Sequence, residues 1–246
     1  MEHDTLELPE GRRIAYRLSA GRGPGVVFLG GFRSDMTGTK AQFLEAWARA
    51  QGRGFLRFDY TGHGASSGDF RTSGIGDWAQ DARDAILRRT EGPQVLVGSS
   101  MGGWIALLFA RRSPARVAGL VGIAAAPDFT EDAMWAGFDA RQRARLESEG
   151  EILLPSAYDE EPYPITRRLI EDGRRNLVLR EPLDLPFPVR LLHGTADRDV
   201  PVQVALRLLG HAEGPDIRLT LVKAADHRFS APENLDLLAR TLEEIL

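Results

Sequence analysis

The 246-residue chain has no cysteine, which removes at once a thiol nucleophile, a disulfide framework and any thiolate metal site. Any catalysis must then use oxygen or nitrogen nucleophiles. Lysine is almost missing as well, occurring only at Lys40 and Lys223. The basic residues are nearly all arginine, interspersed with Asp and Glu in helix-like stretches instead of gathered into a patch, so nucleic acid is not an expected partner. No large excess of one charge exists either, the formal charge being -4. No segment approaches the ~18 apolar residues of a membrane span, and Met1-Glu2-His3-Asp4-Thr5-Leu6 is acidic where a secretory signal needs positive charge. These absences predict a soluble cytoplasmic chain without stable membrane insertion. A hydrophobic fraction of 43% and a charged fraction of 27% are ordinary for a globular protein. The length suits one core with a modest insertion.

What is present is an alternation of short apolar runs with amphipathic stretches, the pattern of an α/β fold with a mostly parallel central sheet flanked by helices. A strand is expected over 13–18, followed after the turn cluster Gly21 to Gly25 by the buried strand Val26-Val27-Phe28-Leu29. A helix over 40–50, a strand over 55–58, a helix over 75–89 and a strand over 94–97 come next. The helix Trp104 to Arg111 and the strand Val117 to Ile123 complete this half. From 127 to 186 the alternation lapses: the first part is helical and charged, and Pro155, Pro162 and Pro164 break the second. This stretch reads as a small helical cap inserted between two parts of one core, 1–126 and 187–246. Alternation resumes with a strand over 189–192, a helix over 202–209, a strand over 217–222 and a closing helix from about 233.

Gly98-Ser99-Ser100-Met101-Gly102 has the Gly-x-Ser-x-Gly form of a nucleophile elbow and lies between a strand and the helix that follows it. The turn crowds the backbone around the serine, so small residues are needed two positions either side, and only Ser100 meets that spacing. A serine hydroxyl is a weak nucleophile near neutral pH and requires a base, which in turn requires a partner to fix its tautomer. In open parallel sheets this chemistry collects beyond the carboxyl ends of strands. His227, after the last strand, is the expected base. His211 ends a helix, His193 reads as a buried turn residue, and His63 lies in a Gly-rich loop where it can bond backbone. The acid is sought after Leu191-Leu192-His193-Gly194, where Asp197 and Asp199 are available. Asp199 is well placed to cap the helix opened by Val200-Pro201, which leaves Asp197 to orient His227. Asp226 reads as a loop carboxylate. Acyl transfer also needs backbone donors for the developing oxyanion. The amide of Met101, at the start of its helix, is one, and Phe32 in Gly30-Gly31-Phe32 is the expected second. Phe129, Met134, Trp135 and Phe138 are candidates for a substrate pocket under the cap.

With these residues in place the chain resembles the α/β-hydrolase superfamily over its whole length, through Leu29-Gly30-Gly31-Phe32, Asp59-Tyr60-Thr61-Gly62-His63-Gly64, Gly98 to Gly103, His193 to Pro201 and Asp226-His227. Many members carry His-Gly where this chain has Gly30-Gly31. More narrowly it is similar to the branch containing a mitochondrial acyl-protein thioesterase that also cleaves acyl glucuronides. That similarity rests on Met36-Thr37-Gly38-Thr39-Lys40-Ala41, Arg57-Phe58-Asp59-Tyr60, Val97 to Trp104, Arg190 to Gly194, Asp226-His227-Arg228 and Pro155-Ser156-Ala157-Tyr158. The resemblance implies a triad of Ser100, Asp197 and His227. It also implies small-molecule or acylated-protein substrates cleaved at an ester or thioester, with no metal and no organic cofactor. An acyltransferase or a carbon-carbon bond hydrolase could use the same residues. A non-catalytic binding protein could retain the fold.

Overall fold

The computed structural model describes residues 3–155 and 162–246. Its framework is an eight-stranded sheet built from β1 (Asp4–Glu7), β2 (Arg13–Ser19), β3 (Arg22–Leu29), β4 (Arg53–Phe58), β5 (Gln94–Ser99), β6 (Val117–Ile123), and two late strands, β10 (Val189–Gly194) and β12 (Ile217–Val222). The spatial order is β1-β2-β4-β3-β5-β6-β10-β12. β1 and β2 run antiparallel at one edge, and from β4 onward all pairs are parallel. Strands β5 and β10 are buried at every position, as expected of strands covered on both faces.

Two apolar layers sandwich this sheet. On one face α1 (Thr39–Ala50) packs Ala41, Leu44 and Ala48, and α7 (Pro232–Glu243) packs Leu238 and Leu242, against Val26, Val95 and Val121. On the other, α2 (Ile75–Arg89), α3 (Met101–Arg112) and Leu208 of α6 (Val202–His211) bury a larger cluster that includes Trp78 and Trp104. α3 has ten of its twelve residues buried, which fits its uninterrupted apolar sequence.

Between β6 and β10 the segment contains a π-helical turn (Thr130–Trp135), α4 (Ala140–Glu149), a two-stranded antiparallel sheet of β7 (Glu151–Leu154) and β8 (Tyr163–Thr166), α5 (Arg167–Arg174), and the short β9 (Leu183–Asp184), which pairs with β11 (Ala212–Glu213). The β7–β8 pair is an addition to the helical cap expected, and it falls in the part that prolines break. Ser156, Ala157 and Tyr158 lie outside the described residues. Ion pairs fasten this segment down. Buried Asp128 accepts from the amides of Val178 (2.8 Å) and Leu179 (3.0 Å) and pairs with Arg180, while Asp132 bonds Arg180 and, across to α6, Arg207 at 2.6 Å. Among the described residues no helix is long and apolar enough to cross a membrane.

Candidate active site

The turn from β5 into α3 holds Ser100 at φ 53°, ψ -118°, a conformation L-residues rarely adopt and one that stores roughly 1–3 kcal/mol. Tertiary bonds hold it there. The Ser100 amide donates to the Ile123 carbonyl at 2.9 Å, and the Ser100 carbonyl accepts from Gly103 and Ala126. The flanking glycines are required by contact: a Cβ on Gly98 would lie 2.4 Å from the Gly102 carbonyl oxygen, and one on Gly102 would lie 2.1 Å from that of Leu29. The bend leaves Ser100 half-exposed at the carboxyl end of the sheet.

Three strand ends converge there. His227, in the loop after β12, places Nε2 3.2 Å from Ser100 Oγ, and its Nδ1 lies 2.8 Å from Asp197 Oδ2 in the loop after β10. Since a carboxylate oxygen only accepts, Nδ1 carries the proton and Nε2 is free to accept from the serine hydroxyl. Asp197's side chain is fully buried, and its other oxygen accepts from the amides of Asp199 (2.9 Å) and Val200 (2.8 Å). Burial alone would raise this carboxyl. The bonds from His227 and the two amides outweigh burial and leave its pKa below the ordinary value. Asp199 does not cap α6, whose N-cap is Pro201 with no side-chain bond. Asp197 takes the amides of Asp199 and Val200 in the loop that precedes that helix.

His193, His211 and His63 each have a backbone carbonyl partner. His193 is buried and donates Nε2–H to the Val200 carbonyl at 2.8 Å, with the same nitrogen 3.5 Å from Asp197 Oδ2. His211 bonds the Glu181 carbonyl, and Asp226 accepts from the Phe229 amide. His63 donates to the Thr61 carbonyl and accepts the Arg33 amide, both at 3.2 Å. Burial drives its pKa down to about 4, so the ring is neutral in the working range. It thereby supports Arg33 at φ 57° in the loop that carries Phe32.

Gly31 of that loop faces the nucleophile turn: a Cβ there would lie 3.5 Å from Ser100 Cβ. Neither the Phe32 nor the Met101 amide bonds another group among the described residues, so both donors are available. The Phe32 ring meets Phe70, Trp78, Phe129 and Tyr163 at 5.1–6.1 Å, edge to face. Tyr163, from β8, has no periodic signal in its Pro-broken stretch and was absent from the expected residues. Of the four pocket candidates, Phe129 reaches Phe32 and also Trp104. Met134 is partly buried against the core. Trp135 packs on Phe138 and carries Arg174 and Arg143 over its ring. Beyond Phe32 a cleft of about 280 Å³ opens between Arg33, His63, Phe70, Arg71 and Pro164.

Asp197, Asp199 and His227 offer oxygen and nitrogen atoms within 4.8 Å of one another. A cation there would have to break the His227–Asp197 bond, because that nitrogen already donates to the carboxylate.

A sequence profile of the α/β hydrolase family matches residues 26–241. The chain belongs to the α/β-hydrolase family. Among proteins similar to this hydrolase is Palmitoyl-protein thioesterase ABHD10, mitochondrial, of Rattus norvegicus, 35% identical over 98% of this chain and 81% of the relative. Among solved structures, mouse alpha/beta hydrolase domain-containing protein 10 superposes with a TM-score of 0.92 at 34% identity, covering 99% of this chain and 98% of the other. A crystal structure from Agrobacterium vitis S4 gives 0.94 at 40% identity, covering 99% and 98%. The cytoplasmic expectation is corrected by the relatives from Rattus norvegicus, Mus musculus, Bos taurus and Homo sapiens, all of which are named mitochondrial. Compartment is set by segments that receptors read, not by the composition of a folded body.

Proposed function

We propose that this hydrolase cleaves carboxylic esters or thioesters through an acyl-serine intermediate on Ser100. The observation that carries the reading is the continuous chain from Ser100 Oγ to His227 Nε2 (3.2 Å) and from His227 Nδ1 to Asp197 Oδ2 (2.8 Å). In this mechanism Oγ attacks the substrate carbonyl while Nε2 takes its proton. The carbonyl π electrons move onto oxygen, where the amides of Met101 and Phe32 meet the charge. Collapse expels the leaving alkoxide or thiolate, protonated by His227, and leaves Ser100 acylated. Water, activated by the same histidine, then releases the acid. Asp197 stays ionised and stabilises the imidazolium, a role consistent with its depressed pKa.

Residues 127–186 act as the cap, and Phe129 with Phe32 forms the apolar wall beside the acyl group. Relatives named palmitoyl-protein thioesterase support long-chain acyl thioesters on protein as the preferred substrate class. The test is hydrolysis of matched p-nitrophenyl esters and acyl thioesters, short to long, by wild type beside Ser100→Ala. Serine-dependent turnover favouring long acyl thioesters is expected. A preference for short esters would make the protein a general carboxylesterase, and turnover that survives Ser100→Ala would overturn the mechanism.

A further inference from the structure

The loop that presents His227 is braced on both sides. Ala224 and Phe229 both take positive φ, 61° and 51°. The Ala224 amide donates to Thr195 Oγ1 at 2.9 Å, the Phe229 amide donates to Asp226 Oδ1 at 3.0 Å, and the Phe229 ring is completely buried. Within this braced loop lies the Arg228–Phe229 peptide, one residue beyond His227, and its carbonyl, that of Arg228, accepts from two side chains. Ser230 Oγ donates to it locally at 2.9 Å. Lys40, the second residue of α1, donates its Nζ to it from a separate element.

We infer that Lys40 is a positioning residue for the base: by clamping the Arg228 carbonyl it fixes the Arg228–Phe229 peptide, one residue beyond His227, and through it the direction in which Nε2 faces Ser100. The inference rests on the reading in which Ser100 and His227 carry the chemistry. Lys40 is half-buried, and it is one of two lysines in a chain that otherwise uses arginine. A narrow stem ending in a compact ammonium suits a single carbonyl, whereas a planar guanidinium presents a wide fork. The clamp spans separate elements, α1 on one side and the β12–α7 loop on the other, so it ties the base to the same sheet face that α1 packs on. Misplacing a catalytic group by a fraction of an ångström is costly even when the fold survives.

Burial lowers the Lys40 pKa to about 8, with Asp226 opposing and Arg228 reinforcing the shift, these being the charged groups that act on it. Above that pH the ammonium becomes an amine, and a charge-assisted bond becomes an ordinary one. Wild-type kcat should therefore sag about two- to fivefold between pH 7.5 and 9.5.

The absence of cysteine allows a clean test. Lys40→Met and Lys40→Cys should lower kcat roughly 10- to 100-fold with KM nearly unchanged and should abolish the alkaline sag. Alkylating Lys40→Cys with 2-bromoethylamine, which restores an ammonium at lysine length, should recover most of the loss, and iodoacetamide should not. Lys223→Met, an exposed position on the same loop, should behave as wild type. A Lys40→Met enzyme with undiminished kcat, equal rescue by both alkylating agents, or an alkaline sag that persists without Lys40 would overturn the role. If Ser100→Ala retained turnover the underlying mechanism would fail instead, whichever way the Lys40 variants behaved.

Discussion

At the scale of single residues, Ser100 combines two properties that a structural serine does not need: a strained backbone and a hydroxyl aimed at an imidazole whose other nitrogen is committed to a buried carboxylate. Ser100→Ala and His227→Ala should each reduce kcat by roughly 10⁴- to 10⁶-fold without unfolding the chain. Losses under tenfold in steady-state assays would contradict their roles. Asp197→Asn keeps the shape but offers His227 a donor where it needs an acceptor, and should cost about 10⁴-fold. Asp199→Asn should cost far less, because it is Asp197 Oδ2 that takes the His227 Nδ1 proton at 2.8 Å. Comparing the two kcat values distinguishes these acids. Their difference was hard to read from sequence, since two carboxylates two residues apart occupy the same loop. Only the folded loop reveals that Asp197 collects both amides as well as the histidine.

At the scale of elements, the crossing of β5 and α3 at the nucleophile turn leaves no room for a side chain. Gly102→Ala would push α3 away from the Leu29 carbonyl or open the β3–β5 edge. The expected cost is about 4 kcal/mol, at the upper end for point substitutions, or a fall in melting temperature of about 8–16 °C for a chain of this size. A melting curve superposable on wild type would show that α3 can move freely, contrary to the packing described. The elements that sequence reveals are those with strong patterns. α2 spans Ile75–Arg89, as its apolar spacing predicts, and the strands buried on both faces read as unbroken apolar runs. Hidden elements have physical reasons for being hidden. β1 buries only Leu6 and otherwise presents polar residues. β7 and β8 are four residues each, β8 contains Pro164, and their stability comes from pairing with each other, which composition cannot report. Tyr163 and Lys40 reach the site only through this kind of long-range packing.

At the scale of the whole molecule, two buried groups give stability opposite dependences on acid. His63 has its folded pKa lowered to about 4 from an ordinary 6.5. The unfolded chain therefore binds the extra proton first, and stability contributed by neutral His63 is lost as pH falls from about 6.5 toward 4, by up to about 3 kcal/mol. Asp81, raised by burial to about 6 from 3.8, binds its proton first in the folded state, so its contribution grows as pH falls from about 6 toward 4. Relative to wild type, His63→Gln should gain in melting temperature between pH 7 and 5 and Asp81→Asn should lose. Parallel melting curves across that range would contradict both assignments.

The central claim, that Ser100 is the group acylated during turnover, is tested most directly by peptide mass spectrometry after treatment with a fluorophosphonate, in wild type and in His227→Ala. The mechanism predicts one stoichiometric adduct on the peptide containing Ser100 in wild type and a greatly slowed reaction in the variant. An adduct on another residue, or equal labelling with and without His227, would contradict it.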